Sequence, residues 1–242
     1  MPHDLSDYPT VILVHGLFSN GGHWWKTILA LKDKGYGIDQ INAVDIPLTS
    51  IEDDVAVVKR AIEATPGDVI LVGHSYAGVV ISYAGTDIKK VRGLVYIAAI
   101  VPDAGESVSD ILAWDPAKCA DAIKPTSQGL LYIPPNEYKH AMCQDATADE
   151  AFTFATSQKP PKQGLVTEKS GNKPAWKNQP CYYAVSKDDH LVSPATQYKL
   201  VQRMPTNKTI ELLASHASMN SHPQEIADLI LSAAKAAAAS AK

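Results

Sequence analysis

Ser75 stands among small residues in Gly73-His74-Ser75-Tyr76-Ala77-Gly78, directly after the apolar run Val69-Ile70-Leu71-Val72. A short buried strand that turns sharply into a helix at a serine projects the hydroxyl from the top of a parallel sheet. Small neighbours let that turn close and the helix pack behind it. Serine is a weak nucleophile at its own pKa, so acyl transfer from such a place needs an imidazole to take its proton. A carboxylate must then hold that imidazole in the right tautomer and stabilise its cation. His216, which follows the last strand in Ala214-Ser215-His216-Ala217, and Asp188 or Asp189, which follow the strand before it, supply those types. The oxyanion needs N–H donors as well, each contributing roughly 3 kcal/mol to the barrier reduction. Leu17 N–H, in the loop after the first strand, and Tyr76 N–H, next to the serine, form the natural pair.

Other residues compete for these roles. His222 adjoins Pro223 at a helix start and reads as a cap or surface residue. His74 adjoins the serine but is expected to point to the other side of the turn and to be structural. Asp188 and Asp189 are not separated by these arguments. Activity carried by this set is expected to rise as His216 loses its proton near neutrality.

The elements that must hold these groups alternate between strand and helix. Val11 to Val14 is a buried strand ending in a glycine-rich loop, the usual way a sheet offers backbone N–H groups at its carboxyl edge. Trp24, Ile28 and Leu31 recur at helical spacing until Gly35 and Gly37. Ile38 to Ile46 reads as a strand stopped by Pro47. Ser50 caps a helix whose apolar stripe is Ile51, Val55, Val58 and Ile62. The Ser75 strand and helix follow, and Val91 to Ala99 is a strand apolar on both faces, as an interior parallel strand should be. Late in the chain Cys181 to Val185 and Thr209 to Leu213 are strands, and the closing helix carries Ile226, Leu229 and Ile230. Its alanine-rich end, Ala233 to Lys242, has little to bury and is expected to fray. The alternation predicts an α/β fold with a mostly parallel, doubly wound sheet, whose ligands bind at the carboxyl ends of its strands.

Between Pro102 and Trp176 no buried strand is evident. Short helices (Ser107 to Trp114, Asn136 to Gln144, Thr147 to Thr156) are separated by Pro125, Pro134-Pro135 and Pro160-Pro161. The organisation read from this change is a core of residues 1–102 and 177–242 with a helical cap, 103–176, inserted after the strand ending near Ala99. Trp114, Leu130, Leu131, Tyr132, Ile133, Tyr138, Phe152 and Phe154 give the cap an apolar inner surface. Most of them serve to pack the cap on the core. Phe18, Trp114 and Tyr132 are the candidates for substrate contact.

Composition narrows the partner. The chain has 242 residues, 45% of them apolar and 20% charged, which is ordinary for a folded globular protein. Its net charge of -4 leaves no basic patch for nucleic acid or an anionic membrane. A small, uncharged molecule is the expected partner, and the number of subunits is left open. Cys119, Cys143 and Cys181 are odd in number and lack C-x-x-C or Cys/His spacing, so no disulfide framework and no zinc site is indicated. A pairing of Cys119 with Cys143 is left open. No organic cofactor is implied either. No apolar run reaches membrane-spanning length, and Met1 to Pro9 shows no export signal, so a reducing, cytoplasmic setting is expected.

The chain resembles small bacterial α/β-hydrolases of the esterase group that is similar to plant methyl-ester esterases and hydroxynitrile lyases. The resemblance runs through His15-Gly16 to Trp24, Pro47 to Asp54, Gly73 to Gly78, Val95 to Pro102 with Asp103 to Glu106, Asp189 to Pro194, and Ser215 to Pro223. It implies the α/β-hydrolase fold and the chain order serine, acid, histidine. It also selects Asp189, because in that pattern the acid lies shortly before a Ser/Pro-Pro pair that starts the next helix. Ala77 departs from the usual glycine and marks a place where crowding is expected.

The resemblance also bears on the reaction. Dehalogenases and epoxide hydrolases of this fold use aspartate where this chain has Ser75. The lyase branch typically carries threonine after the first-strand histidine and lysine after the later one, where this chain has Gly16 and Ala217. Hydrolysis of a small carboxylic ester through an acyl-enzyme on Ser75 is the expected activity. Lactone or thioester hydrolysis by the same residues, and a non-catalytic small-molecule receptor of the same fold, are the alternatives.

Overall fold

The computed structural model describes residue 5 and residues 7–240. In chain order its strands are β1 (Thr10–Val14), β2 (Ile41–Val44), β3 (Val69–His74), β4 (Val91–Ile97), β5 (Lys124–Pro125), β6 (Leu131–Tyr132), β7 (Cys181–Ser186) and β8 (Thr206–Leu212). The six longer strands form one sheet in the order β2-β1-β3-β4-β7-β8, with every neighbouring pair parallel. Every residue of β1, β3 and β7 is buried, which explains their continuous apolar runs: each strand has helices on both faces. β2 and β8, at the two edges, are partly exposed and correspondingly mixed in sequence.

The helices are α1 (Trp25–Asp33), α2 (Ile51–Ala64), α3 (Ala77–Ala84), α4 (Val108–Leu112), α5 (Pro135–Met142), α6 (Ala148–Thr156), α7 (Pro194–Arg203), α8 (Ser218–Ser221) and α9 (Pro223–Ser240). α2 packs on α3, and α1 packs on α9. Ser50 caps α2 by accepting a 3.0 Å bond from Asp53 N, and Val58 and Ile62 bury its apolar stripe.

Several sequence expectations are corrected. The segment Ile38–Gln40 is a turn of 3-10 helix, so β2 is shorter than read. The end of α9 remains helical through Ser240 with Ala233, Ala234 and Ala237 buried. Small side chains let that helix lie close on β4 and β7, so the alanines do have a surface to cover. Ala241 and Lys242, and part of the stretch Met1 to Pro9 read for export signals, lie outside the described residues. Among the described residues no helix is long and apolar enough to cross a membrane.

The segment between β4 and β7 contains α4, α5 and α6 close to where helical spacing put them. It also contains the antiparallel pair β5 and β6, two residues each and too short to leave a period-2 signature. Phe154 of α6 is buried, but Phe152 is 72% exposed, so it does not belong to the inner surface. Two residues apart on a helix, they cannot share a face. All three cysteines are buried and unpaired.

Candidate active site

β3 ends at His74, and the chain then turns at Ser75 with φ of 56°, a left-handed conformation that costs a non-glycine residue roughly 1–2 kcal/mol. Backbone bonds hold the turn in place. Ser75 N donates to Ile97 O at 3.1 Å, and Ser75 O accepts from Gly78 N and Ile100 N, both at 3.0 Å. A Cβ at Gly78 would stand 2.2 Å from Ile100 O, and one at Gly16 would stand 2.7 Å from Ser75 Cβ. A Cβ at Gly73 would likewise stand 2.7 Å from Ala77 O, so only a hydrogen fits at these three positions. Ala77 is buried at the start of α3 without a left-handed backbone, and the crowding beside it is met by the missing side chain of Gly73, while Gly78 meets that against Ile100.

His216 follows β8, and its Nδ1 lies 2.7 Å from Asp189 Oδ2. Both side chains are almost fully buried. Asp189 Oδ1 accepts from Leu191 N and Val192 N at 2.8 Å each, and Oδ2 also accepts from Gln197 Nε2 at 2.9 Å. A buried carboxylate with this many donors is held in one orientation and kept ready to accept from an imidazole N–H. Asp188 points elsewhere, to Lys118 and Gln144 at the surface, and the Lys118 ammonium lowers its pKa. The geometry therefore separates the two acids. Gln197 was not singled out from sequence. The one available signal is a polar residue three positions before Leu200, on the buried side of α7.

His74 lies closer to the site than expected. Its Nε2 donates to His216 O at 2.8 Å, and the two rings are 4.7 Å apart. Burial, followed by the neighbouring His216, pushes its pKa well below the ordinary value, so it stays neutral and steadies the His216 backbone. His222 sits at the surface beside Glu225, 3.2 Å away.

Leu17, Phe18, Ser75, Tyr76 and His216 line one narrow cavity of about 40 Å³, closed over by Val108, Leu112, Ile123 and Met142. Neither Leu17 N–H nor Tyr76 N–H donates to a protein acceptor among the described residues. Tyr76 is fixed from behind: its hydroxyl donates to Asp54 Oδ2 at 2.7 Å, while Asp54 Oδ1 accepts from Leu48 N at 2.7 Å. Burial raises the Asp54 pKa to about 6. Trp114 and Tyr132 are not among the residues lining this cavity. The Trp114 ring is stacked under Arg203, with 4.7 Å between guanidinium carbon and ring centroid, and Tyr132 lies in β6. A larger open groove of about 600 Å³, bounded by Thr86, Lys89, Lys173 and Lys177, shares no lining residue with the Ser75 cavity.

Polar bonds from the overlying segment reach each of the three loops. Tyr138 of α5 donates its hydroxyl hydrogen to Phe18 O at 2.8 Å. Ala217 N donates to Met142 O at 3.1 Å, and Ser215 N to Asp145 Oδ2 at 2.8 Å. Cys119 N donates to His190 O at 2.9 Å, and Gln144 Nε2 to Asp188 O at 2.5 Å. Phe18 itself has φ of 57°, a backbone that the Tyr138 bond helps to hold. These ties connect residues far apart in sequence, and none was foreseen from it.

The family described as alpha/beta hydrolase matches residues 11–229. "Probable hydrolase R7" of Phoma sp. is 25% identical over 92% of this chain and 96% of its own length. "Methylesterase 8" of Arabidopsis thaliana is 24% identical over 92% of this chain and 88% of its own. Among solved structures, a pyrethroid hydrolase from Sphingobium faniae JZ-2 superposes with a TM-score of 0.78 at 21% identity, covering 94% of this chain and 98% of that one.

Proposed function

The chain belongs to the alpha/beta hydrolase family, and on that premise we propose that it is a serine hydrolase cleaving carboxylic esters of small, largely apolar substrates. The observation that carries the proposal is the 2.7 Å contact of His216 Nδ1 with buried Asp189, made by a histidine that shares a cavity with Ser75. With Nδ1–H donated to Asp189, His216 Nε2 is free to take the Ser75 Oγ proton as Oγ attacks the ester carbonyl. The oxyanion is met by Leu17 N–H and Tyr76 N–H. Collapse returns the proton from His216 to the departing alcohol, leaving an acyl group on Ser75. Water, deprotonated by His216, then attacks that acyl group and regenerates the serine. Asp189 stays ionised throughout and stabilises the imidazolium.

The mostly apolar lining suits an uncharged ester, and the small volume requires α4 and α5 to give way on binding. Cyanohydrin cleavage is disfavoured because Gly16 and Ala217 stand where the lyase branch carries threonine and lysine, so neither side chain is present to act on a cyanohydrin. Three unpaired buried thiols suit the reducing cytoplasm, which we include in the proposal. Turnover of short-chain p-nitrophenyl esters, abolished by Ser75→Ala, is the expected result. Tight binding of such esters with negligible turnover would overturn the proposal in favour of a receptor. A parallel screen of lactones and thioesters defines which acyl compounds share the site.

A further inference from the structure

A second cluster of reactive side chains lies where the overlying segment meets the Asp189 loop, and ester hydrolysis makes no use of it. Cys119, His140 and His190 each bring one ligand atom within 4.8 Å of the other two. Cys119 and His190 are buried while His140 is exposed, so the group has a fixed inner wall and an open mouth. Two bonds build that wall. Cys119 N donates to His190 O at 2.9 Å, and His190 Nδ1 donates to His140 O at 2.8 Å. With its Nδ1 proton committed to a carbonyl, His190 keeps a lone pair on Nε2, the arrangement by which outer hydrogen bonds orient metal-binding imidazoles.

Asp188 Oδ1 lies 3.3 Å from that Nε2. The Lys118 ammonium stands beside both, 2.9 Å from Asp188 Oδ1 and 3.3 Å from His190 Nε2. A positive charge therefore already occupies this place, carried by an exposed side chain that can leave it.

We propose that Cys119, His140 and His190 form a binding site for a zinc-class divalent cation, with Asp188, which lies outside that cluster but 3.3 Å from His190, drawn in as the fourth ligand. One thiolate, two imidazoles and a carboxylate match the ligand types and number that zinc takes in tetrahedral sites, and the two anionic ligands balance its charge. Binding transfers the Cys119 thiol proton to solvent and moves the Lys118 ammonium outward; no electron changes hands. Ligand atoms in a tetrahedral zinc site lie about 3.5 Å apart, so the exposed His140 ring closes inward on binding. The metal would then clamp the segment over the site to the residue next to Asp189. Sequence spacing gave no sign of this because the ligands come from residues 119, 140 and 188–190, far outside the short repeats that mark zinc motifs.

Cobalt(II) titration of the chelator-treated whole chain tests the proposal independently of any esterase activity. The expected result is a thiolate-to-cobalt charge-transfer band in the near ultraviolet, bleached by zinc and lost in Cys119→Ser. His140→Ala, at an exposed position, is expected to weaken zinc binding about tenfold or more. Lys118→Met is expected to tighten it several-fold by removing the competing cation. Absence of the band in the wild type, its survival in Cys119→Ser, or unchanged zinc affinity in either of the other variants would overturn the site.

Discussion

The carboxyl edge of the sheet and the segment between β4 and β7 enclose the same cavity, yet they hold it by different physics. At the sheet edge, parallel ladders and close backbone approach fix Ser75: its N and O are bonded to Ile97, Gly78 and Ile100, and Gly78 admits no Cβ. The overlying segment has short helices and a two-residue strand pair, and it touches the reactive loops through single bonds such as Tyr138 to Phe18 O. The sheet edge is thus redundantly determined. The covering segment is joined to those loops by single bonds of about 1 kcal/mol each, and buried side chains such as Tyr138 and Phe154 supply the rest of its hold.

The largest expected difference concerns the two adjacent acids. Asp189→Asn is expected to lower kcat about 10⁴-fold by giving His216 the wrong tautomer, whereas Asp188→Asn, compared in chelator-treated protein so that no metal bridges the loop, stays within about twofold, because Asp188 faces Lys118 and the surface. Equal losses, measured by ester kinetics, would break the contrast between the buried edge and its exposed neighbour. Next comes packing within α6. Phe154→Ala is expected to destabilise by about 3–5 kcal/mol and Phe152→Ala by no more than about 0.5 kcal/mol, read from denaturant unfolding. Comparable losses would put the wrong face of α6 inward.

Asp54, beneath Tyr76, gives a pH signature of the core. Folding raises its pKa from the usual carboxylate value near 4 to about 6, so folding favours the protonated form. The stability linked to it is fully present below about pH 4 and is lost as pH rises through 6, on the order of 2–3 kcal/mol in all. The stability of the wild type relative to Asp54→Asn is therefore expected to fall over that window, and parallel pH curves would contradict it. The smallest effect belongs to the cover. Tyr138→Phe removes one buried bond to Phe18 O, and a kcat loss of about three- to tenfold with a stability loss of about 1–2 kcal/mol is expected. A loss as large as that of Asp189→Asn would mean that the cover is as tightly coupled to the chemistry as the sheet edge is.

The same division explains what could be read from sequence. β1, β3 and β7 were legible because a strand buried on both faces is a nearly continuous apolar run, β4 through its Leu94 to Ile97 half despite Arg92, and Ser75 because its turn demands small residues. Asp189 needed a family pattern, since two neighbouring aspartates look alike until one of them meets Leu191 N, Val192 N and Gln197. Gln197, Asp54, His74 and Tyr138 act through partners 8 to 142 residues away, and no local period encodes such contacts. Trp114 and Tyr132 are large aromatic residues of an apolar segment, but neither lines the cavity. The cavity is lined instead by smaller residues of that segment, Val108, Leu112, Ile123 and Met142.

Covalent chemistry at the redundantly held serine is the central claim. Turnover of p-nitrophenyl acetate, quenched in acid and mapped by peptide mass spectrometry, tests it most directly. The account predicts an acetyl group on Ser75 in the wild type, longer-lived when hydrolysis is slowed by Asp189→Asn and missing in Ser75→Ala. Sustained turnover with Ser75 never acylated, or acetylation confined to another residue, would contradict it.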